Sequence, residues 1–190
     1  MATERRTLIA DAALDVLADE GMRGLTHRAV DRAADLPPGT TSAYFRTRRS
    51  LLDALVRRLV DVDQTELRTL GAALPVPRNA DELTAGLAAF TELRLTGPGR
   101  RRTLARYACA VESVRDPALR EVLVPRENPA RDAVRDFLAA HGVPDPEERT
   151  VTLLACVDGL VFDRLVAGGE VPRAHVRGLV ETALRGSGGG

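Results

Sequence analysis

The sequence predicts an all-α protein, and three observations carry that prediction. Alanine, leucine and arginine supply 28, 26 and 27 of the 190 residues, whereas isoleucine occurs once. All three common residues favour helix and leave little for a large sheet. Apolar residues recur at three- and four-residue spacing, with no alternating run that reads as a strand pair. Capping residues set before proline mark helix starts through the second half. An apolar share of 44% suits packed cores rather than a disordered chain, and the length allows one or two domains.

The elements follow in order. Leu8, Ile9, Ala12, Ala13, Val16 and Leu17 form one wide helical stripe with Asp11, Asp15 and Asp19 opposite, and Gly21 stops that helix. Thr26 is an N-cap for a second helix burying Ala29, Val30 and Ala33, with Leu25 stapled on Val30. Pro37 and Pro38 end it, and a very short third helix runs from Pro38 to about Tyr44. Thr47 caps a long fourth helix carrying Leu52, Leu55, Leu59 and Val62, which ends before Leu74-Pro75. Asn79 with Glu82 makes a capping box, and Gly97-Pro98-Gly99 closes the helix it opens. Another helix lies between Arg100 and Ser113. Asp116-Pro117, Asn128-Pro129 and Asp145-Pro146 each place a cap before a first-turn proline, which keeps the cap out of the α region. The last two helices span about Pro146–Ala167 and Arg173–Leu184, for a total of nine to ten, followed by a flexible Gly-rich tail at 186–190.

Composition also excludes functions. Twenty-seven basic residues balance twenty-seven acidic ones, so no global field steers the protein to polyanions. Locally, residues 22–58 hold eight arginines against three acids, an excess of five, whereas residues 1–21 hold two against five. Six aromatic residues and no Trp disfavour a stacking platform for single strands. Cys109, Cys156 and the three histidines share no ligand spacing, so no metal, cofactor or disulfide framework is expected. No G-x-S-x-G, H-E-x-x-H or phosphate-loop motif appears, and no catalytic residue is assigned. Apolar runs are too short to cross a bilayer and the N-terminus is charged rather than signal-like, so a soluble, cytoplasmic protein is expected.

The informative stretch is Leu25 to Leu55, LTHRAVDRAADLPPGTTSAYFRTRRSLLDAL. Its third helix exposes Thr40, Thr41, Ser42 and Tyr44, is too short to stand alone in water, and must be held by neighbours while its polar face meets something else. Gly39 permits close backbone approach there, and free N–H groups at that end would suit a phosphate. A bracing helix followed by an entering helix is helix-turn-helix logic. A Pro-Gly surface turn between two packed helices has the same spacing.

The segment LIADAALDVLADEGMRGLTHRAVDRAADLPPGTTSAYFRTRRSLLDAL resembles the TetR family of transcriptional regulators. The matching pieces are the A-x-x-x-L/V-x-x-x-G helix ending at Gly21, then L-T-x-R-x-V, P-G-T, Y-F and R-x-x-L-L, in that order. Two departures stand out. Pro37 takes the place of a common capping Ser, and Ser42 that of a common aromatic; Arg48 replaces the usual lysine and keeps its charge. The resemblance implies a helix-turn-helix DNA-binding domain over residues 1–46 and a ligand-binding and dimerisation domain over 47–185. It implies Thr26 and Arg48 as phosphate clamps, Arg28 as a guanine or phosphate contact, and Thr40, Thr41 and Tyr44 at base edges. Phe45 is expected to pack beneath the three helices, and His27 to face solvent.

In that reading the partners are a palindromic operator in double-stranded DNA, a small-molecule effector and a second copy of the chain, making a ligand-responsive repressor with no membrane association. The helix from Glu147 has apolar residues on two faces, which implies burial on two sides. Ala155 and Gly159, with Val176, Leu179 and Val180 of the last helix, are the expected dimer interface. Phe90, Tyr107, Phe137, Asp158 and Phe162 are the candidate ligand contacts, with core aromatics and an Asp158 ion pair as the plain alternatives. Arg100-Arg101-Arg102 is expected to be solvated. A helical adaptor without sequence-specific DNA binding is the competing reading, kept open by Pro37 and Ser42.

Overall fold

The computed structural model describes residues 2–74, 76–124 and 128–185. Among these it has ten helices and no strand, in the order α1 (Ala2–Gly24), α2 (His27–Ala33), α3 (Thr40–Tyr44), α4 (Arg48–Ala73), α5 (Ala80–Leu95), α6 (Gly97–Ser113), α7 (Pro117–Leu123), α8 (Pro129–Ala140), α9 (Pro146–Ala167) and α10 (Arg173–Arg185). The expected tail at 186–190 lies outside the described residues. The chain packs as two compact units. The first comprises α1–α3, α4 up to Gln64, α6 and α7; the second comprises α4 from Thr65, α5, α8, α9 and α10.

In the first unit, the apolar stripe of α1 meets Leu25, Ala29 and Val30 around α2 and Leu51, Leu55, Val56 and Leu59 of α4. Ile9, Leu25, Val30, Leu51, Leu55 and Leu59 are fully buried, each worth roughly 1.5–3 kcal/mol of transfer free energy. Helix α1 breaks at Gly21, whose φ of 68° and ψ of −173° interrupt the helical path. The carboxylates of α1 do not simply face water. Asp11 receives the Arg58 guanidinium of α4 at 2.6 Å, while Arg101 of α6 bridges Asp15 at 3.1 Å and Asp19 at 2.7 Å. Arg101 is therefore paired rather than merely solvated. Asp63 of α4 is buried against Arg106 of α6 at 2.9 Å. Nearby, burial pushes the Cys109 thiol up to about 12, which keeps it protonated.

The second unit packs α5, α8, α9 and α10 around Leu83, Leu87, Val134, Phe137, Leu138, Leu153, Val157, Val176 and Val180. Two of its helix starts follow expectation. Asn79 accepts the Glu82 amide at 2.9 Å and Asn128 accepts the Arg131 amide at 3.2 Å. Glu82 does not complete the expected box on Asn79, however: its carboxylate takes the Arg78 amide one residue earlier, at 2.9 Å. In the first unit Asp116 caps α7 in the expected way, accepting the Leu119 amide at 3.1 Å. Asp145 differs: it sits in the left-handed region at φ 50° and makes no side-chain cap. Pro146 excludes the right-handed α region for its neighbour, and the chain takes the left-handed side that Asp tolerates better than most. Glu147 and Glu148 in the first turn complement the helix dipole instead.

Candidate nucleic-acid interface

Helices α2 and α3 are joined by a turn in which Asp35 (φ 51°) and Gly39 (φ 92°) both take positive φ. The Gly39 conformation, not crowding, is the constraint, because a Cβ there would meet nothing within 4 Å. Thr26 caps α2 by accepting the Ala29 amide at 3.2 Å. The Thr26 residue is exposed.

The start of α3 is organised by a residue that the sequence reading passed over. Asp31 of α2 is only 3% exposed. Its Oδ2 accepts the Gly39 amide at 2.8 Å and its Oδ1 the Thr41 amide at 2.7 Å. The Pro37 carbonyl accepts the Thr40 amide at 3.1 Å and the Thr40 hydroxyl at 2.6 Å. The amides expected to meet a phosphate are therefore occupied from within. Burial alone would raise the Asp31 carboxyl, but the Thr41 side chain, the two amides and nearby His27 outweigh it and hold it below the usual carboxylate range. At the other end of α3, His27 Nε2 donates to the Phe45 carbonyl at 2.7 Å. The ring is thus tied to the motif rather than turned to solvent. An acidic residue inside the buried face of α2, beside a Pro-Pro-Gly turn with unpaired amides, was the signal available in the sequence.

The sequence-predicted contacts divide accordingly. Thr26 and Arg28 are exposed at the start of α2, and Thr40 and Tyr44 are half-buried on α3. Thr41 is fully buried, because its amide must face Asp31; its side chain cannot reach a base edge, and it leaves the set. Ser42 and Ala43 are exposed on α3, as is Arg46 just beyond it. Arg6 of α1 lies over the Tyr44 and Phe45 rings, 5.9 and 5.1 Å from their centroids. Phe45 is buried in the core as expected, whereas Ala33 is exposed. The Arg48 guanidinium turns back to the Met22 carbonyl and lies 3.4 Å from that of Leu25, so it latches α4 to the segment that opens α2 while staying exposed. Thr47 caps α4 reciprocally with Ser50: each backbone amide donates to the other's hydroxyl, at 3.2 and 3.1 Å.

In the second unit the expected interface is partly corrected. Val176 and Val180 are fully buried in their own core and so are not free for a partner, whereas Leu179 packs against that core and stays half-buried. Helix α9 buries Thr150, Leu153, Val157 and Val161 on one side. On the other, Val151, Ala155, Gly159, Phe162 and Val166 are exposed, and a Cβ at Gly159 would meet nothing within 4 Å. The five candidate ligand residues are divided between the two units. Phe137 is core and Phe90 packs against that core, Asp158 and Phe162 face outward from α9, and Tyr107 belongs to the first unit. None of them borders the open groove of about 790 Å³ along α4 and α7, which Arg57, Val60, Asp61, Arg120, Glu121 and Val122 line.

Comparison with known proteins agrees with this geometry. Residues 9–55 match the model of the bacterial regulatory proteins of the tetR family, and residues 78–186 match the tetracyclin repressor-like C-terminal domain. The chain belongs to the TetR family of transcriptional regulators. It carries a helix-turn-helix DNA-binding domain and is a regulator rather than an enzyme. The HTH-type transcriptional regulator BetI of Burkholderia cenocepacia is 28% identical over 170 residues, 88% of this chain and 85% of that one. BetI of Burkholderia thailandensis is 29% identical over 168 residues, covering 87% and 84%. Among solved structures, the multidrug binding protein EbrR complexed with ethidium superposes with a TM-score of 0.69 at 28% identity, over 94% of this chain and 98% of that one. A TetR-family member from Streptomyces coelicolor A3 gives 0.69 at 27%, over 95% and 98%. Among the described residues no helix is long and apolar enough to cross a membrane, and no cluster of His, Cys, Asp or Glu could hold a metal ion.

Proposed function

We propose that this protein is a cytoplasmic, ligand-responsive repressor that binds a palindromic operator as a homodimer and is released by a small molecule. The observation that carries the reading is α3: five residues, polar but for Ala43, fastened at both ends to α2 and flanked by the exposed Thr26 and Arg28. In this reading residues 1–46 bind DNA and residues 47–185 bind ligand and partner. Thr26 donates to a phosphate, and Arg28, Thr40 and Tyr44 meet base edges, the Arg28 fork matching guanine O6 and N7. Arg48 neutralises a phosphate with the N–H groups that its two carbonyl contacts leave over. Two copies joined along the outward faces of α9 present two α3 helices to half-sites ~34–36 Å apart or somewhat more. The apolar residues on that face supply the contact, with Ala155 and Gly159 letting the helices approach.

The EbrR structures hold ethidium, proflavin and malachite green, which makes bulky aromatic compounds the first effectors to try. Helix α4, 26 residues long and so ~39 Å at 1.5 Å per residue, is the lever that alters head spacing. An effector must favour one spacing, since equal affinity for both would shift nothing. The test is selection of duplexes from a random pool by the purified protein, followed by titration of the winner with each dye. An enriched inverted repeat that is lost on dye addition is the expected result; a pool without enrichment would leave the adaptor reading standing.

A further inference from the structure

We infer that Asp31 is the positioning residue for operator recognition: it touches no DNA, but it fixes how α3 is presented, supplying from α2 the side-chain cap that the N-cap, Gly39, lacks. The inference rests on the proposed role of α3 as the reading helix. Both carboxylate oxygens are committed to one object, the first turn of α3, at 2.8 Å to the Gly39 amide and 2.7 Å to the Thr41 amide. The side chain is buried beside Ala29 and Val30, where a charge is expensive unless hydrogen-bonded. A residue serving only the core would be apolar at this place. One turn earlier on the same face of α2, His27 holds the Phe45 carbonyl at 2.7 Å. A carboxylate at the amide end and an N–H donor at the carbonyl end match the polarity of the helix they grip. A five-residue helix makes too few internal bonds to hold its own place. Its orientation is therefore set by these two side chains, and Asp31 holds the end nearest Thr40.

The test compares the full-length wild type with Asp31→Ala, Asp31→Asn and Asp31→Ala combined with Pro37→Ser. Two quantities are read: amide exchange at Gly39 and Thr41, and affinity for the duplex that the wild type selects from a random pool, relative to a scrambled duplex. Asp31→Ala should speed exchange at both amides by about tenfold or more, since it removes the hydrogen bond that protects each. It should lower the selected-to-scrambled ratio by a similar factor, with scrambled DNA bound nearly as before because phosphate contacts carry that affinity. Asp31→Asn keeps one acceptor oxygen and should fall between, and it serves as the folded variant if alanine unfolds the unit. Adding Pro37→Ser should restore part of both quantities by capping α3 from its own chain. Unchanged exchange would overturn the role of Asp31 while leaving the repressor reading intact. Faster exchange with an unchanged ratio would instead show that α3 does not read the sequence, and Asp31 would fall with it. A wild type that selects no duplex would overturn both at once.

Discussion

Helices α3 and α9 solve opposite problems. Helix α3 has almost no apolar surface to bury and is held by hydrogen bonds at its termini, from Asp31 and His27. Helix α9 has apolar surface on two sides and buries only one, with Leu153 and Val157 in the core of its own unit. The polar device leaves an outward face free for a polar, charged partner. The apolar device leaves an outward face that only another apolar surface satisfies, with Phe162 still 53% exposed and Val166 74% exposed. The two exposed faces thus advertise different partners.

The largest expected effect breaks the α9 side of that contrast. A Cβ at Gly159 meets nothing within 4 Å, so with Gly159→Arg the unit should fold while the proposed dimer is lost outright. Light scattering should report the monomer mass, and an unchanged dimer would remove α9 from the interface. On the α3 side, Tyr44→Ala and Arg28→Ala should each cost roughly 1–3 kcal/mol on the operator and relax preference at particular base pairs. Arg48→Ala should weaken binding to all DNA alike, with a shallower salt dependence. Titrations on selected and scrambled duplexes at several salt concentrations separate the two behaviours.

Acid should sharpen the polar side further. Because the folded-state pKa of Asp31 is depressed, the unfolded chain binds more protons between the two values, and stability rises with pH there. Its contribution is complete above the unfolded carboxyl value of ~3.9 and is lost as pH falls through the folded value. Asp31→Asn should flatten this part of the acid limb in thermal melts, and an identical acid limb would detach Asp31 from it. The smallest effect is expected at Arg101→Ala. Its partners Asp15 and Asp19 are more than half exposed, so the change should cost ~0–1 kcal/mol and shrink in high salt.

Much of this architecture was legible in the sequence because it follows from periodicity and caps. Thr26, Asn79, Asp116 and Asn128 cap as their side chains suggest. Gly39 was legible as a special position, although its reason proved to be positive φ. What remained hidden depends on distant partners. An acid on the buried face of α2 signals a polar partner but not that the partners are amides 8 and 10 residues on, and nothing local to Thr41 says that it turns inward. Val176 and Val180 show the same limit: a helical stripe declares that it will be buried, but not against which surface. Asp145 was misread because a proline forbids one region of its neighbour's backbone without selecting among the rest.

The grip of α2 on α3 has a consequence for how this head can change its target. Anchorage runs through the backbone ends of α3 and through residues of α2, whereas Ser42 and Ala43 point outward and anchor nothing in the fold. Those positions can be replaced without dismantling the motif that carries them. Libraries randomised at 42 and 43 should therefore stay folded while their preferred duplexes diverge. Loss of the Asp31 clamp would scatter every such specificity at once. The socket is fixed, and the reading tip is exchangeable.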